Sequence, residues 1–506
     1  MSRSAPDAWL MGIDIGAGSL KTMIIDTDGR VAGSAAADIA TASPQPGWSE
    51  QDPAQWWQAL CGTVPCALAE AGLPPGAIAA VAFSAGAHTP VLEDAQGHVI
   101  RPAILWSDQR SGAETRELND RYGDEILAIG CNRAAPTWTQ SQLLWLSRHE
   151  PDALARTKRL YVAKDWLRSR LTGTWETDPT EAVGTLLFDP HRRAWSERLC
   201  AMIGFDRSRL PPIVRPTTVV GSVTAAAAQA CGLAAGTPVV CGSSDTSVEA
   251  YGAGAITPGS GAIKLATAAT VSIIGREPHV HPTLINYPFV VPDHWYAITA
   301  TNSCASAHRW LRDRFFVKPG QTGAEAFAAM DRMAADTAAG ADGLLFHPYL
   351  QGERAPYWDP LLRADFIGMT FRHEPRHFAR AFYEGIAFSL RDALDQLRAQ
   401  GLDLRAARII GGGARSATWR QIVADVLDVT IQLPKVTDAS FGAALIAGVG
   451  IGVFADEATA VGRCVAIEAS HAPDPARRAR YDALHGIYRD AATRLTDINH
   501  RLAALG

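Results

Sequence analysis

The 506-residue sequence predicts an α/β protein with two large domains that share a ligand cleft. Three observations carry this expectation. Length and a 47% hydrophobic content allow more than one core. Apolar strands that end in glycine or serine clusters run on into helices, the pattern of domains whose strand ends present a ligand. A hairpin-like stretch near the N-terminus has an echo about halfway along the chain.

The opening stretch GIDIGAGSLKTMIIDTDG, Gly12 to Gly29, admits two readings. A dinucleotide-binding loop would enter a helix and needs a third glycine where Leu20 and Lys21 stand. TMIID is instead β-branched and apolar, and Asp28-Gly29 turns it into RVAGSAAADIA, so strand, turn, strand, turn, strand is the better reading. Next comes a proline-rich loop into an amphipathic helix, with Asp52 or the loop before it as cap and Pro53 in the first turn. AIAAVAFSAG and VVCGSSD read as buried strands. AIKLATAATVSIIG, Ala262 to Gly275, repeats the opening hairpin in shape, which suggests two domains of related architecture, 1–254 and 255–506.

Beyond a loop-rich region, His377 to Ala399 has helical spacing, with Gly385 allowing close packing. RIIGGGARSATW reads as strand, glycine turn and helix start, and the triple glycine lets main-chain N–H groups approach a ligand. At the C-terminus, Tyr481, Leu484, Tyr488, Ala491, Leu495, Ile498, Leu502 and Leu505 form a stripe. It is expected to pack on its own domain; the alternative is a coiled-coil seam between two copies.

A formal charge of −5 and the lack of a Lys/Arg-rich tract argue against nucleic-acid and membrane partners and leave a small neutral or anionic ligand. Eight scattered cysteines, with no CxxC pair, read as buried thiols in a reducing cytosol rather than as a zinc site or disulfide framework. MSRSAPDAWLMG lacks the apolar region of a secretory leader, and Gly442 to Ala455 is too short and glycine-rich to span a bilayer, so a cytoplasmic protein is expected.

Several stretches, in order, carry a resemblance: DIGAGSLK, PGWSEQDPAQWW, RPAILWSDQR, LLWLSRHEP, GSSDTSVEAYGAG, PYLQGERAP and GGGARSATWRQIVADVL. From Gly12 to about Gly448 the chain resembles the FGGY carbohydrate kinases, and most of all their xylulokinase branch. The resemblance implies two actin-like (ribonuclease H-like, ASKHA) domains closing on a small-molecule sugar and on ATP with Mg²⁺; family relatives are often homodimers. It implies that Asp245 is the general base for a sugar hydroxyl; from the residues alone, Asp245 serves equally well as a cap for the helix that follows. Asp14 is implied to hold Mg²⁺ through water. Gly16, Gly18, Ser19, Lys21 and Thr267 are implied to meet phosphates, and Gly411, Gly412, Gly413 and Ala414 the nucleotide. His88, Trp106, Asp108 and Arg110 fall on the sugar side, with Arg110 equally able to be a structural ion-pair partner. Glu353 and Arg354 read as framework.

The chain also departs from the family. Ala17 stands where relatives place threonine, and Ala266-Thr267-Ala268 stands for Gly-Thr-Ser, so hydroxyl donors to phosphate are fewer. Gly86-Ala87-His88-Thr89 replaces Gln-Met-His-Gly, and Gln142 replaces a lysine. The sugar therefore stays open between a pentulose such as D-xylulose and ribulose, gluconate, erythritol or glycerol. An actin- or chaperone-like ATPase and a catalytically silent binding protein are the readings from other classes.

Overall fold

The computed structural model describes residues 8–505; the first seven residues, part of the stretch read as lacking a secretory leader, lie outside it. The opening stretch is two successive hairpins. Strand β1 (Trp9–Ile15) pairs antiparallel with β2 (Ser19–Ile25), and β2 with β3 (Val31–Asp38). Gly29 takes the left-handed conformation in the second turn, where φ is 76°. Strand β4 (Ile78–Ala85) lies parallel to β1, and β5 (Val219–Ser222) and β6 (Pro238–Ser244) complete a sheet of order β5-β6-β4-β1-β2-β3. Helix α1 (Pro53–Ala71) covers its outer side, with the Asp52 carboxylate accepting from Ala54 N. Helix α2 (Asp245–Gly252) leaves β6 directly.

The echo is real at the level of topology. Strands β7 (Ser260–Leu265) and β8 (Ala269–Gly275) form the second hairpin. Strands β9 (Ile285–Pro288), β10 (Trp295–Ala300), β11 (Ala406–Ile410), β12 (Thr430–Pro434) and β13 (Ile467–His471) extend it to β9-β10-β8-β7-β11-β12-β13. The run β3-β2-β1-β4-β6 in one sheet and β10-β8-β7-β11-β12 in the other share one pattern, two antiparallel pairings followed by two parallel ones. This repeated arrangement is the one expected of two actin-like domains.

Four later helices matter to the site: α3 (Pro375–Ala399), α4 (Ala417–Leu427), α5 (Ala439–Gly450) and α6 (Pro475–Ala503). Gly385 of α3 is needed for packing as expected, because a Cβ there would lie 2.2 Å from the Phe346 carbonyl oxygen. The apolar stretch at Gly442 belongs to α5, which comes from the second half of the chain yet seats on β1, β4 and α2 of the first. The fit is backbone to backbone: a Cβ at Gly12 would stand 1.8 Å from the Ser440 carbonyl oxygen and 2.6 Å from Ala444 N. Gly442 meets the Val248 carbonyl oxygen in the same way.

Two expectations need correction. The C-terminal stripe buries Tyr481 and Tyr488, but further along α6 the buried positions are Ala492 and Asn499, while Ile498, Leu502 and Leu505 are exposed. A 3.6-residue period drifts around a helix this long, so a strict three-four stripe leaves the domain surface after about four turns. Of the cysteines, six are buried, but Cys61 is half-buried and Cys66 exposed. Among the described residues, no helix is long and apolar enough to cross a membrane.

Glu353 anchors the loop before α3. It is buried, and its carboxylate accepts from Asn302 N at 2.6 Å, Arg354 N at 2.8 Å and the Ser389 hydroxyl at 3.1 Å. Burial pushes its pKa up to about 7 against these bonds. The folded state thus holds the proton more tightly than the unfolded chain, and the stability this contributes is full below about pH 4.5 and is lost as pH rises through 7. Denaturant unfolding at pH 5, 6 and 7 should show wild type losing about 2 kcal/mol relative to Glu353→Gln across that window; a pH-independent difference would contradict the burial argument. At the α5 seat, Gly12→Ala should cost about 2–4 kcal/mol in urea unfolding. Gly62→Ala, on an exposed turn of α1 with nothing within 4 Å of the new methyl, should gain roughly 0.5–1 kcal/mol. Equal effects of the two substitutions would refute the close seat.

Candidate active site

The ends of β1, β4, β6 and β7 and the starts of α2 and α5 converge on one cleft. Asp14, next to last in β1, pairs in register with Lys21 on one side and Ser84 on the other, and Ser84 is in turn opposite Ser243 of β6. Asp245 follows two residues later. The glycine of CGSSD is what permits this: Gly242 has φ 77°, and a Cβ there would fall 1.8 Å from the Phe83 carbonyl oxygen.

Asp245 opens α2 rather than capping it; Ser244 occupies the cap position. One carboxylate oxygen accepts from Thr246 N at 2.6 Å and from the Thr246 hydroxyl. The other faces Gly86, whose ideal Cβ would lie 4.0 Å from it and 3.0 Å from the Trp106 ring. Trp106 is 46% exposed and forms the open wall of this corner. Beside it, Asp14 is buried, and its Oδ1 has no hydrogen-bond partner. Burial, followed by the charges of Asp245, Asp438 and Glu249, raises the Asp14 pKa to about 8. Burial and three neighbouring carboxylates make the charged form of Asp14 costly, and a cation beside it would offset that cost. Asp14 therefore suits a hydrated divalent cation; among the described residues, no cluster of three or more His, Cys, Asp or Glu forms a protein-only metal cage.

Lys21 is bound across 417 residues of chain to Asp438, Nζ to Oδ2 at 2.7 Å, and Asp438 in turn caps α5 by accepting from Ser440 N. In the turn between β1 and β2, Gly16 N donates to the Ser19 carbonyl, and the Ala17 carbonyl is held by Gln51 at 2.7 Å and by Thr41. The amides of Ala17 and Gly18 donate to no acceptor among the described residues. The Ala266–Ala268 turn repeats this arrangement, with the amides of Thr267 and Ala268 equally free and the Thr267 carbonyl held by Cys304 N and the Ser306 hydroxyl. Gly411, at φ 89°, and Gly413 pack against Leu265 at the root of that turn, with Gly412 open and Ala414 buried beneath. The glycine run and the second hairpin thus form one surface.

His88 follows two residues after Gly86. It adopts φ 69°, a left-handed conformation rare outside glycine, and its Nε2 meets the Tyr287 hydroxyl at 2.5 Å. Its ring lies 4.3 Å from Trp138, which stacks on Tyr287 at 5.8 Å, so β9 of the second sheet closes this wall. Burial lowers the His88 pKa to about 3, and the ring is neutral.

Asp108 is placed differently from its expectation as a hydroxyl-binding group, and Arg110 takes the structural ion-pair position that its sequence equally allowed. Asp108 accepts from Ser49 N at 2.6 Å and from Arg110 through Nε and Nη2, while Arg110 also bonds Glu50 at 2.7 Å and lies 3.7 Å over Trp48. Both side chains are fully buried. With donors and acceptors saturated, the pair braces the segment that carries Trp106.

The sequence reading passed over Tyr287, Glu249, Lys264 and Asp438. Glu249 lies one helical turn after Asp245 and bonds Lys264 of β7, joining the two halves of the chain. The spacing Asp245, Glu249 was the available signal, since i,i+4 puts both carboxylates on one helix face. Behind β6, a fully buried group of Lys164, Asp165, Arg168 and Asp178 is tied to the strand by Ser243, whose hydroxyl donates to Asp178 at 2.7 Å.

Comparison with known proteins agrees with this geometry. Sequence models of the FGGY family of carbohydrate kinases match the chain over residues 9–252 for the N-terminal domain and 261–451 for the C-terminal domain. The chain is 32% identical to a xylulose kinase of Lactococcus lactis over 501 residues, 98% of each protein, and 31% identical to one of Staphylococcus epidermidis over 486 residues, 95% of each. The crystal structure of xylulose kinase from Rhodospirillum rubrum superposes with a TM-score of 0.90 at 29% identity, covering 97% of this chain and all of that one. With both halves matched in order and two sheets of one topology facing a carboxylate-lined cleft, the chain belongs to the FGGY family of carbohydrate kinases.

Proposed function

We propose that this carbohydrate kinase transfers the γ-phosphoryl group of ATP to a hydroxyl of a pentulose such as D-xylulose, with Asp245 as general base. The observation that carries the reading is the free Asp245 oxygen facing the Gly86–Trp106 corner, next to the unpartnered carboxylate of Asp14. The substrate class rests on the relatives, which are named xylulose kinases, and on a wall of His88, Trp138 and Tyr287 suited to a small polyol. An ATPase without a sugar acceptor has no use for that wall.

In this reading the sugar lies between Trp106 and His88, and the reacting hydroxyl hydrogen-bonds Asp245. The neutral imidazole, its Nε2 fixed by Tyr287, offers Nδ1 as one polar atom of defined direction and discriminates hydroxyl configuration, because a wrong epimer leaves a buried polar group unpaired. As the hydroxyl oxygen bonds the γ-phosphorus, the bond from phosphorus to the ADP oxygen breaks and the proton passes to Asp245. Free amides at Ala17, Gly18, Thr267 and Ala268 face the phosphates, and Gly411, Gly412 and Gly413 let the nucleotide approach the main chain. Mg²⁺, held by Asp14 through water, would neutralise phosphate charge. The two domains, 1–254 and 255–506, close over the pair and exclude water as a competing acceptor.

Asp245→Asn should lower sugar phosphorylation by about 10²–10⁴-fold while ATP affinity by calorimetry stays within about two-fold; near-normal turnover would remove Asp245 from its role. A coupled ADP-release screen with Mg²⁺ over D-xylulose, D-ribulose, their L-isomers, gluconate, erythritol and glycerol should respond most strongly to D-xylulose. Sugar-independent ADP release would favour an ATPase, and nucleotide binding without turnover would mark a silent protein.

A further inference from the structure

Lys264 holds a position in the second hairpin that Asp14 holds in the first. Each is the next-to-last residue of the strand that enters the turn, and each is paired in parallel register with the strand beyond: Asp14 with Ser84, Lys264 with Ile410. Ile410 leads directly into Gly411, so Lys264 stands at the root of both nucleotide-side turns. Its side chain then crosses from the second half of the chain to the first and bonds Glu249, one turn after Asp245 on the same face of α2. The two hairpins thus bring opposite charges to one point.

The charge balance of the cleft gives this lysine its significance. Four carboxylates, Asp14, Asp245, Glu249 and Asp438, face two lysines. Lys21 is held by Asp438 on the half-exposed side. Lys264 is the more buried of the two, and Asp245 and Asp14 both act on its charge. An ammonium group has three donors, and among the described residues Glu249 is its one oxygen partner. The turns beside it carry alanine at 17, 266 and 268, which offer no hydroxyl to phosphate.

We propose that Lys264 is a further catalytic residue, whose ammonium contacts an oxygen of the phosphoryl group in transit between the nucleotide turns and Asp245. The inference rests on the kinase reading above. Lys264 stays protonated throughout; the proton lost by the sugar goes to Asp245, the new sugar oxygen–phosphorus bond forms, and the bond to ADP breaks. The cation offsets the negative charge that the phosphoryl oxygens bring into a carboxylate-rich cleft, where alanine at 17, 266 and 268 leaves fewer hydroxyl donors on the turns.

The test is a cycle of Lys264→Met, Glu249→Gln and the double variant, with Lys264→Arg as the charge-conserving control. Lys264→Met should lower kcat about 30–300-fold with sugar KM within about three-fold, and should weaken ATP more than ADP in calorimetry. Lys264→Arg should recover part of kcat. The double variant, which leaves no unpaired carboxylate at this point and so keeps the test open if Lys264→Met does not fold, should remain as slow as Lys264→Met. Restored turnover in the double variant would reduce Lys264 to a counter-ion for Glu249, and equal weakening of ATP and ADP would remove it from the transferred phosphoryl group; either overturns the proposal. A wild-type protein without sugar-dependent ADP release counts against the kinase reading itself, whereas an active wild type matched by Lys264→Met counts against Lys264 alone.

Discussion

The seat of α5 on β1 is the constraint on which the rest of the cleft depends. At Gly12 the helix backbone approaches the strand so closely that no side chain fits, and Gly442 repeats the condition against α2. Because the helix comes from the second half of the chain, this contact fixes the first hairpin relative to elements made nearly 430 residues later. It also points the helix N-terminus at the hairpin, which sets Asp438 beside Lys21 and within electrostatic reach of Asp14. Dispersion and burial at a glycine-lined seat thus set up the electrostatics of the site.

The cleft gathers carboxylates at its centre, while the side chains at its edges are tied to one another. Burial and three nearby carboxylates work against the charged form of Asp14 and raise its pKa. The groups around it are instead tied to one another: Arg110 with Asp108 and Glu50 over the Trp48 ring, and Lys164 with Asp165 and Asp178 behind β6. Buried pairs of this kind add little net stability but allow few alternative arrangements. They brace Trp106 and Asp245 from outside the cleft, much as the left-handed turn at His88 and its bond to Tyr287 fix the imidazole.

Much of the fold was legible because its signals are local. The β-branched run after Lys21, the Asp28-Gly29 turn, the Asp52-Pro53 helix start and the triple glycine at 411–413 each express a backbone preference that needs no distant partner. The repeat of the hairpin at Ala262 was legible in shape though hardly in letters. The C-terminal stripe was misjudged in its distal part because periodicity states which residues share a face, not where the neighbouring domain ends. Asp108 looks like a ligand-binding group in a motif, and only the positions of Ser49 and the Arg110 side chain reveal that its bonds are already made.

The sequence by itself determined the α/β class, the paired hairpins, the family and the presence of Asp14, His88 and Asp245 at strand ends or the turns that follow. These follow from local propensity and from motif order, which a linear chain displays directly. Tertiary structure alone decided which charges meet: Lys21 with Asp438, Lys264 with Glu249, His88 with Tyr287. Two of these pairs join residues remote in the chain and the third links α2 to the first strand of the second sheet; Coulomb and hydrogen-bond energies depend on distance in space, which is settled only once α5 and the second sheet have closed on the first.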